Sequence, residues 1–355
     1  MKILFLFTHN KGLLSKFFME LAHKLTKDDH EVKVYSLKKY PGKIWVNNIE
    51  VIAEANGGYL NNYYQIFKCI KEISPDVIIS NFNYANPALL AGKILKIKKN
   101  IVWVHSLKKH GDPWKYQIIL KSWFYKFADT VVVNSHILEK ELKEVFKVEK
   151  SKIHAIPFWS NIGKIASTPI EVEKGVDKIL LGCPGRFTNI KNQIVIINAI
   201  QALKDKVNDK IEVYFAGEGP TCKDIERKVK ELNLQEHVNF LGVLSAGQMK
   251  DFYKKMDVIV LPSLYESFGL VFIETISLGT PVIVSTEFGA LDFVEKDSEE
   301  IKKILFNPRD PRDLAWKLQN LLENGDMDEE FYKKIYSDHF DKEVIYNRLL
   351  KILEF

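Results

Sequence analysis

Apolar residues in this chain fall into two kinds of run. One kind is short, mostly unbroken and bounded by polar or turn residues. It occurs at 2–8, 31–36, 50–53, 76–80, 101–104 and 130–135, then at 179–183, 212–216, 238–242, 258–260 and 282–284. Such runs predict strands buried on both faces, as in a parallel sheet. The other kind recurs at three- and four-residue spacing. It predicts helices at 13–27, 59–73, 86–97, 114–127, 136–146, 191–204, 245–256, 310–323, 328–338 and 341–354. A weak strand is predicted at 302–306. Strand and helix alternate throughout, so the class is α/β with doubly wound parallel sheets. Ile153-His154-Ala155-Ile156-Pro157 closes the first half. Residues 161–177 carry Gly163, Ser167-Thr168-Pro169 and Gly175 without periodicity and predict a linker.

With 355 residues the chain is long enough for two domains, each with its own core. Met1-Lys2 is followed by an apolar run, Ile3 to Phe7, but the run is short and no small-residue cleavage site follows, which favours a first strand over a signal peptide. No apolar run is long enough to span a bilayer. Cys69, Cys183 and Cys222 are few, odd in number and not at metal-like spacing, as in a reduced cytosolic protein. The net charge of +5 is mild, but its distribution is uneven. Arginine occurs only at Arg186, Arg227, Arg309, Arg312 and Arg348. In a chain that otherwise uses lysine, Arg186 is a candidate for bidentate phosphate recognition.

The richest chemistry lies between the runs Val258-Ile259-Val260 and Val282-Ile283-Val284. Phe268, Val271, Phe272, Thr275, Ile276 and Leu278 recur at helical spacing, with Ser267 as the expected N-cap and Gly279 and Pro281 as the stop. The preceding loop sits at the carboxyl end of a strand, where ligands bind in open α/β sheets. Glu266 and Glu274 flank the amides of Phe268, Gly269 and Leu270. Those amides would open the helix and suit an anionic group such as phosphate. The carboxylates would suit sugar or ribose hydroxyls. On a capped surface helix the two glutamates would be solvated and idle; the apolar neighbours and the strand-end position favour a site.

Other candidates occupy other strand ends. Arg186 and Lys191 lie in the strand-to-helix loop Pro184-Gly185-Arg186-Phe187-Thr188-Asn189-Ile190-Lys191-Asn192 and could neutralise a diphosphate. Glu218 lies in the turn Gly217-Glu218-Gly219-Pro220. His105 ends the run 101–104 on the ligand-facing edge. Gly12 is the only glycine in the turn Thr8-His9-Asn10-Lys11-Gly12 that follows the first strand. The fingerprint G-x-G-x-x-G is absent there, which weighs against a dinucleotide enzyme. Residues 93–127 interleave lysines with Trp114, Tyr116, Trp123, Phe124 and Tyr125 against the single acid Asp112. That composition fits an interfacial membrane surface. Packing of those aromatics into a core under a solvated lysine face is the structural alternative.

The segment Pro262-Ser263, Glu266-Ser267-Phe268-Gly269, Glu274 and Gly279-Thr280-Pro281-Val282 resembles the E-x7-E motif of the GT4 family, retaining glycosyltransferases of the GT-B fold. Gly185-Arg186 with Lys191-Asn192, and the turn 217–220, are similar to the same family. The likeness is close over 178–284, architectural over 1–160 and thin in the tail, where only Gly289 stands for a glycine-rich return. GT4 proteins often carry two glycines where this chain has Gly12.

The resemblance implies two Rossmann-like domains facing across a cleft: an acceptor-binding domain at 1–162 and a donor-binding domain at 163–338, with a helix at 339–355 crossing back to the first. It implies a retaining enzyme that moves a hexose-type sugar from a nucleoside-diphosphate sugar, uridine ahead of guanosine, to a glycan or lipid-linked acceptor in cell-surface polysaccharide synthesis. Glu266, Arg186, Lys191 and His105 would be catalytic. Glu274, Phe268, Gly269, Leu270, Gly12, Glu218 and Val243 would contact the donor. No Asp-x-Asp suited to a metal occurs, so neither metal nor further cofactor is expected. The expected location is cytoplasmic, at the inner face of a membrane, with no nucleic-acid partner. Two other readings share this build: a sugar-nucleotide epimerase, which needs more acids and bases in the first half, and a silent nucleotide-sugar-binding subunit, which would not turn over a donor.

Overall fold

Eight segments of the first half pair into one sheet, whose central strands bury both faces. The computed structural model describes residues 1–10, 12–38, 41–105, 115–207, 210–324 and 328–354. The chain divides into two compact units, Met1–Phe158 with Ile345–Phe355, and Trp159–Val344. The strands of the first are β1 (Lys2–Leu6), β2 (Glu31–Lys38), β3 (Gly42–Val46), β4 (Ile49–Ala55), β5 (Val77–Asn81), β6 (Lys99–Val104), β7 (Thr130–Val133) and β8 (Ile153–Ala155). They lie in the order β3-β4-β2-β1-β5-β6-β7-β8. All neighbours are parallel except β3 and β4. The winding reverses between β1 and β5, which creates a crevice at their carboxyl ends.

β3 is not announced by an apolar run, because four of its five residues are exposed. It forms because Asn47 and Asn48, with φ of 49° and 63°, supply the two-residue turn that suits a right-twisted hairpin. The last helix, Lys342–Leu353, buries Tyr346 in this unit. There the Tyr346 hydroxyl donates to Asp28 at 2.6 Å, and Lys24 Nζ lies 4.2 Å from the ring centroid.

The second unit has six strands, all parallel: β9 (Ile179–Pro184), β10 (Ile211–Ala216), β11 (Val238–Phe240), β12 (Val258–Leu261), β13 (Val282–Ser285) and β14 (Leu305–Phe306). Their order is β11-β10-β9-β12-β13-β14. The chain winds outward from β9 to β11, then returns to the other side of β9 with β12. The switch point therefore lies between β9 and β12. Leu181, Val213, Val258, Val260 and Ile283 join the helix Ile194–Val207 and the helix from Pro311 in one core.

Several boundaries move. The helix expected at 191–204 starts at Ile194, because Asn192 takes a φ of 54° and turns the chain. The helix expected at 86–97 ends at Ile94. The helices Cys222–Glu231 and Glu299–Ile304 complete crossovers that periodicity does not mark. Residues 161–177 are not a free linker. The Thr168 amide donates to the Gly247 carbonyl at 3.0 Å, and the Ile170 amide to Asp251 Oδ2 at 2.9 Å. Lys255 Nζ donates to the carbonyls of Ile170 and Val172 at 2.7 and 3.2 Å. Ile170 and Val172 are buried, so the segment packs as part of the second unit.

Asp251→Ala removes the acceptor for the Ile170 amide. We expect a loss of about 1–3 kcal/mol in urea denaturation and faster proteolytic nicking around residue 170. Unchanged stability and an unchanged digest would contradict this packing role.

Candidate active site

The loops after β9 and β12 flank the switch point and are hydrogen-bonded to each other. The Leu264 amide donates to the Ile190 carbonyl at 2.8 Å. The Asn192 side-chain amide donates to the carbonyls of Pro262 at 3.2 Å and Pro308 at 2.8 Å. This splice holds Lys191 over the second loop, where its ammonium pairs with the Glu266 carboxylate. Both side chains are partly buried, so water screens the pair less than at an open surface. Arg186, earlier in the same loop, is exposed. Its backbone is fixed: the Arg186 carbonyl accepts from Gln193 Nε2 at 3.2 Å, and the next amide, Phe187, donates to the Glu218 carbonyl at 3.0 Å.

The loop after β10 abuts the loop after β9. Gly217 has a φ of 145°, and a Cβ there would overlap the Gly185 carbonyl oxygen. Its amide donates to the Gly242 carbonyl at 2.7 Å, which brings in the loop after β11. Glu218 is exposed at this corner, with Oε1 lying 3.7 Å from the Cβ position of Gly242. Val243 is 70% exposed beside it.

Beyond β12 the chain stays paired with the loop after β13. The Glu266 amide donates to the Glu287 carbonyl at 3.1 Å, and the Gly289 amide to the Glu266 carbonyl at 3.0 Å. Gly289 therefore braces Glu266 through the backbone. The helix Leu270–Ser277 then begins. Its N-cap is Gly269, with φ 98°, and not Ser267 as the sequence suggested; no side chain caps it and its first turn has no acid. The left-handed turn suits glycine, and a side chain at Gly269 would also overlap the Phe288 ring. Glu266 Cγ lies 3.2 Å from the Cβ position of Gly269, so the carboxylate stands beside the helix start. The opening amides, including that of Leu270, are donors that helix geometry leaves without intrahelical partners. Phe268 is buried against Phe293 and Phe340 and does not face solvent.

Glu274 lies one turn further in and is 8% exposed. Its carboxylate accepts from the Tyr253 hydroxyl at 2.8 Å. Burial, then the neighbouring Glu274 charge, hold the Tyr253 phenol well above its ordinary range, so it stays a neutral donor. Tyr253, on the helix Ala246–Lys255, is a site residue that the sequence did not reveal.

The first unit carries a cavity of about 780 Å³ at its own switch point. Thr8, Asn10, Asn56, Asn62, Phe82 and Asn83 line it, with Gly12 at the rim. Gly12 starts the helix Leu13–Lys27, and its amide donates to Asn10 Oδ1 at 2.8 Å. His105 is 9% exposed and sits among the rings of Phe82, Phe18 and Phe158 at 4.9, 5.5 and 5.6 Å. Its Nδ1 lies 2.8 Å from Asn134 Oδ1 and its Nε2 2.6 Å from Asn81 Oδ1. Burial lowers its pKa to about 4, so the ring is neutral near pH 7. A neutral imidazole has one N–H and cannot donate to both oxygens. The Asn81 Nδ2 atom is buried without a partner, so turning over that amide lets it donate to Nε2. Asn81 and Asn134 are further residues the sequence left unnoticed. Their signal was a polar residue at the carboxyl end of the buried strands on either side of β6.

Among the described residues no group of three His, Cys, Asp or Glu side chains is placed to hold a metal, and no helix is long and apolar enough to cross a membrane. The three cysteines are free, and burial pushes the thiols of Cys69 and Cys183 up to about 12. In the stretch 93–127, Phe124 and Tyr125 belong to the core, whereas Tyr116 and Trp123 are exposed. Lys108, Lys109, Asp112 and Trp114 lie outside the described residues.

Comparisons with known proteins agree on one class. Residues 14–158 match the model of Glycosyltransferase Family 4, and residues 167–338 that of Glycosyl transferases group 1. The structure is similar to Anabaena HepE in complex with UDP, at a TM-score of 0.80 and 17% identity over 99% of both chains, a likeness that carries the fold. The fold is GT-B, and the chain belongs to the GT4-type family of glycosyltransferases. An uncharacterized glycosyltransferase of Methanocaldococcus jannaschii is 30% identical over 63% of this chain, and the match spans only 59% of that protein. A Campylobacter jejuni alpha-1,4-N-acetyl-D-galactosaminyltransferase, named for a diNAcBac-PP-undecaprenol-linked glycan, is 27% identical over 95% of this chain and 92% of its own.

The buried imidazole gives this site a pH signature. Unfolded, His105 binds its proton near 6.5; folded, near 4. As pH falls through that window the unfolded chain takes up a proton that the folded chain refuses. Stability should therefore decline, by up to about 3 kcal/mol, and the group contributes nothing above the window. His105→Gln should flatten that part of the pH profile. An imidazole NMR titration with an inflection between pH 6 and 7 would contradict the assignment.

Proposed function

We propose that this glycosyltransferase moves a hexose-type sugar, with retention, from a nucleoside-diphosphate sugar to a glycan or lipid-linked acceptor in cell-surface polysaccharide synthesis. The observation that carries the reading is the contact of Lys191 with Glu266 beside the uncapped start of the helix Leu270–Ser277. A cation, a hydroxyl acceptor and unpaired amide donors are thus offered at one switch point.

Transfer builds negative charge on the departing diphosphate. Arg186, Lys191 and the amides of Gly269 and Leu270 answer that charge; the amides are held by the backbone, and Lys191 turns from Glu266 to the phosphates when the donor binds. Glu266 accepts hydroxyls of the donor sugar. Glu274, oriented by Tyr253, accepts the ribose hydroxyls; Glu218 and Val243 border the base. No residue here is assigned as a covalent nucleophile. The leaving phosphate takes the acceptor proton on the face from which the acceptor attacks, which yields retention without an enzyme-bound sugar. The acceptor occupies the cavity of the first unit, whose asparagines suit a neutral, hydroxyl-rich molecule. Near neutral pH His105 contributes a hydrogen-bonding wall and no proton transfer.

UDP bound to HepE supports uridine as the base. The undecaprenol-linked glycan in the Campylobacter relative's name supports a lipid-linked acceptor, and with it a place at the cytoplasmic face of a membrane.

Arg186→Ala and Glu274→Ala should each cost about 3 kcal/mol of transition-state stabilisation, on the order of 100-fold in kcat/KM. The assay is donor turnover by the chain alone, after a thermal-shift screen of UDP-, GDP- and ADP-sugars selects the donor. Full activity in both variants would refute the site. Absence of turnover without a partner protein would favour a silent binding subunit.

A further inference from the structure

The outer part of the first sheet carries a second groove that the proposed reaction does not use. Ile66 and Ile70 of the helix Tyr59–Ile73 pack on Leu4, Tyr35 and Ile78. Beyond them lies a cavity of about 540 Å³, lined from β2, β3, β4 and the outer side of that helix. It shares no lining residue with the cavity of Thr8 and Asn10. Two of its lining residues hold a buried polar atom without a hydrogen-bond partner, the Tyr35 hydroxyl and Gln65 Oε1. Tyr35 has no exposed surface. Burial first, then Cys69 and Glu54 in the groove wall, push its phenol above the ordinary range, so it stays a neutral donor. An unmade hydrogen bond of this kind is costly, and a ligand that completes it recovers the loss.

Charge in the groove has two ends. Lys33 and Lys43 each reach the Glu50 carboxylate at 2.9 Å, so two ammoniums share one negative charge. Glu54 lies further along the same face of β4, and its carboxylate has no partner among the described residues. Tyr35 sits at the register between Glu50 and Glu54, opposite Ile52. The other charges are matched, Lys68 by Glu72 and Lys2 by Glu31, both at 3.8 Å. One end therefore keeps an uncompensated positive charge and the other a negative one.

We propose that this groove binds a small zwitterionic ligand, and that the ligand regulates acceptor binding. Its ammonium lies on Glu54 and the Gln65 carbonyl, its anionic group on Lys33 and Lys43, and an oxygen between them accepts from Tyr35. The link to the acceptor cavity is one segment of chain. Glu54 and Asn61 line the groove, whereas Asn56 and Asn62 line the cavity. Asn62 Nδ2 donates to Asn56 Oδ1 at 2.9 Å, and the Gly57 amide to Asn62 Oδ1 at 3.1 Å. A ligand that fixes Glu54 and Asn61 on one side thereby orders this asparagine pair on the other. The regulatory half rests on the acceptor reading of that cavity; the binding half does not.

The probe is glucosamine 6-phosphate, which carries both charges on a hydroxyl-bearing ring; glucosamine and glucose 6-phosphate each lack one of them. Calorimetry on the full chain should show the probe binding roughly tenfold tighter than either. Glu54→Gln and Tyr35→Phe should each weaken it by roughly tenfold. Because the hydroxyl has no partner in the free protein, Tyr35→Phe should not lower the melting temperature. Saturating probe should lower the acceptor KM by about fivefold in the parent and leave it unshifted in Glu54→Gln. The site is overturned by no binding, by equal binding of the single-charge sugars, by variants that bind like the parent, or by a lowered melting temperature in Tyr35→Phe. Binding without a lowered acceptor KM overturns the regulation. If the chain turns over no acceptor, the activity proposed above fails and the regulatory half with it, while calorimetry still decides the groove.

Discussion

A parallel sheet leaves its strand-end loops to find their own hydrogen-bond partners, and in the second unit they find one another. Asn192 spans from the loop after β9 to the Pro262 and Pro308 carbonyls, and Leu264 bonds back to Ile190. Each of these groups would otherwise be a polar atom at the edge of a buried sheet, where an unmade hydrogen bond is costly. Satisfying them aligns two loops whose side chains carry opposite charge, so the contact of Lys191 with Glu266 follows from the backbone. The loop after β10 joins the same network through the Phe187 amide on the Glu218 carbonyl, and the loop after β13 through the Gly289 amide on the Glu266 carbonyl. Rigidity at this edge is a consequence of backbone accounting, and it holds charged groups in place as catalysis by preorganised donors requires.

The first unit solves the same problem with side chains. Asn81, His105 and Asn134 stand at the ends of three adjacent strands and bond laterally under a lid of aromatic rings. Burial favours the neutral imidazole in this arrangement and outweighs the opposing effect of the Asn134 hydrogen bond. A buried neutral ring can orient a cavity wall but makes a poor proton carrier near pH 7. Proton movement is therefore better assigned to the substrates than to this histidine.

Much of this was legible in the sequence where a residue has one dominant neighbour effect. Runs such as Val258-Ile259-Val260 could only be strands buried on both faces, and the alternation with helices implied parallel winding. That the loop of Arg186 and Lys191 shares an edge with the loop of Glu266 could be anticipated from strand-end positions; their direct pairing could not. What stayed hidden depends on contacts distant in sequence. Ser267 has the chemistry of a cap, but the helix starts at Gly269, where a left-handed turn against the Phe288 ring leaves no room for a side chain. Tyr253 reads as one more aromatic of an amphipathic helix until the fold brings it to Glu274. Residues 161–177 lack periodicity, yet Asp251 and Lys255 bind their backbone from about eighty positions away. The stripe from Tyr116 to Trp123 fits a core face as well as a surface one, and only the packing of Phe124 on the other side decides between them.

The central claim is that a diphosphate is held at the β9/β12 switch point. A crystal structure of the chain with UDP tests it most directly. The account predicts both phosphates within hydrogen-bonding distance of Arg186, Lys191 and the Gly269 and Leu270 amides, with the ribose on Glu274. Phosphates found elsewhere, with Lys191 still turned onto Glu266 and the helix start empty, would contradict it.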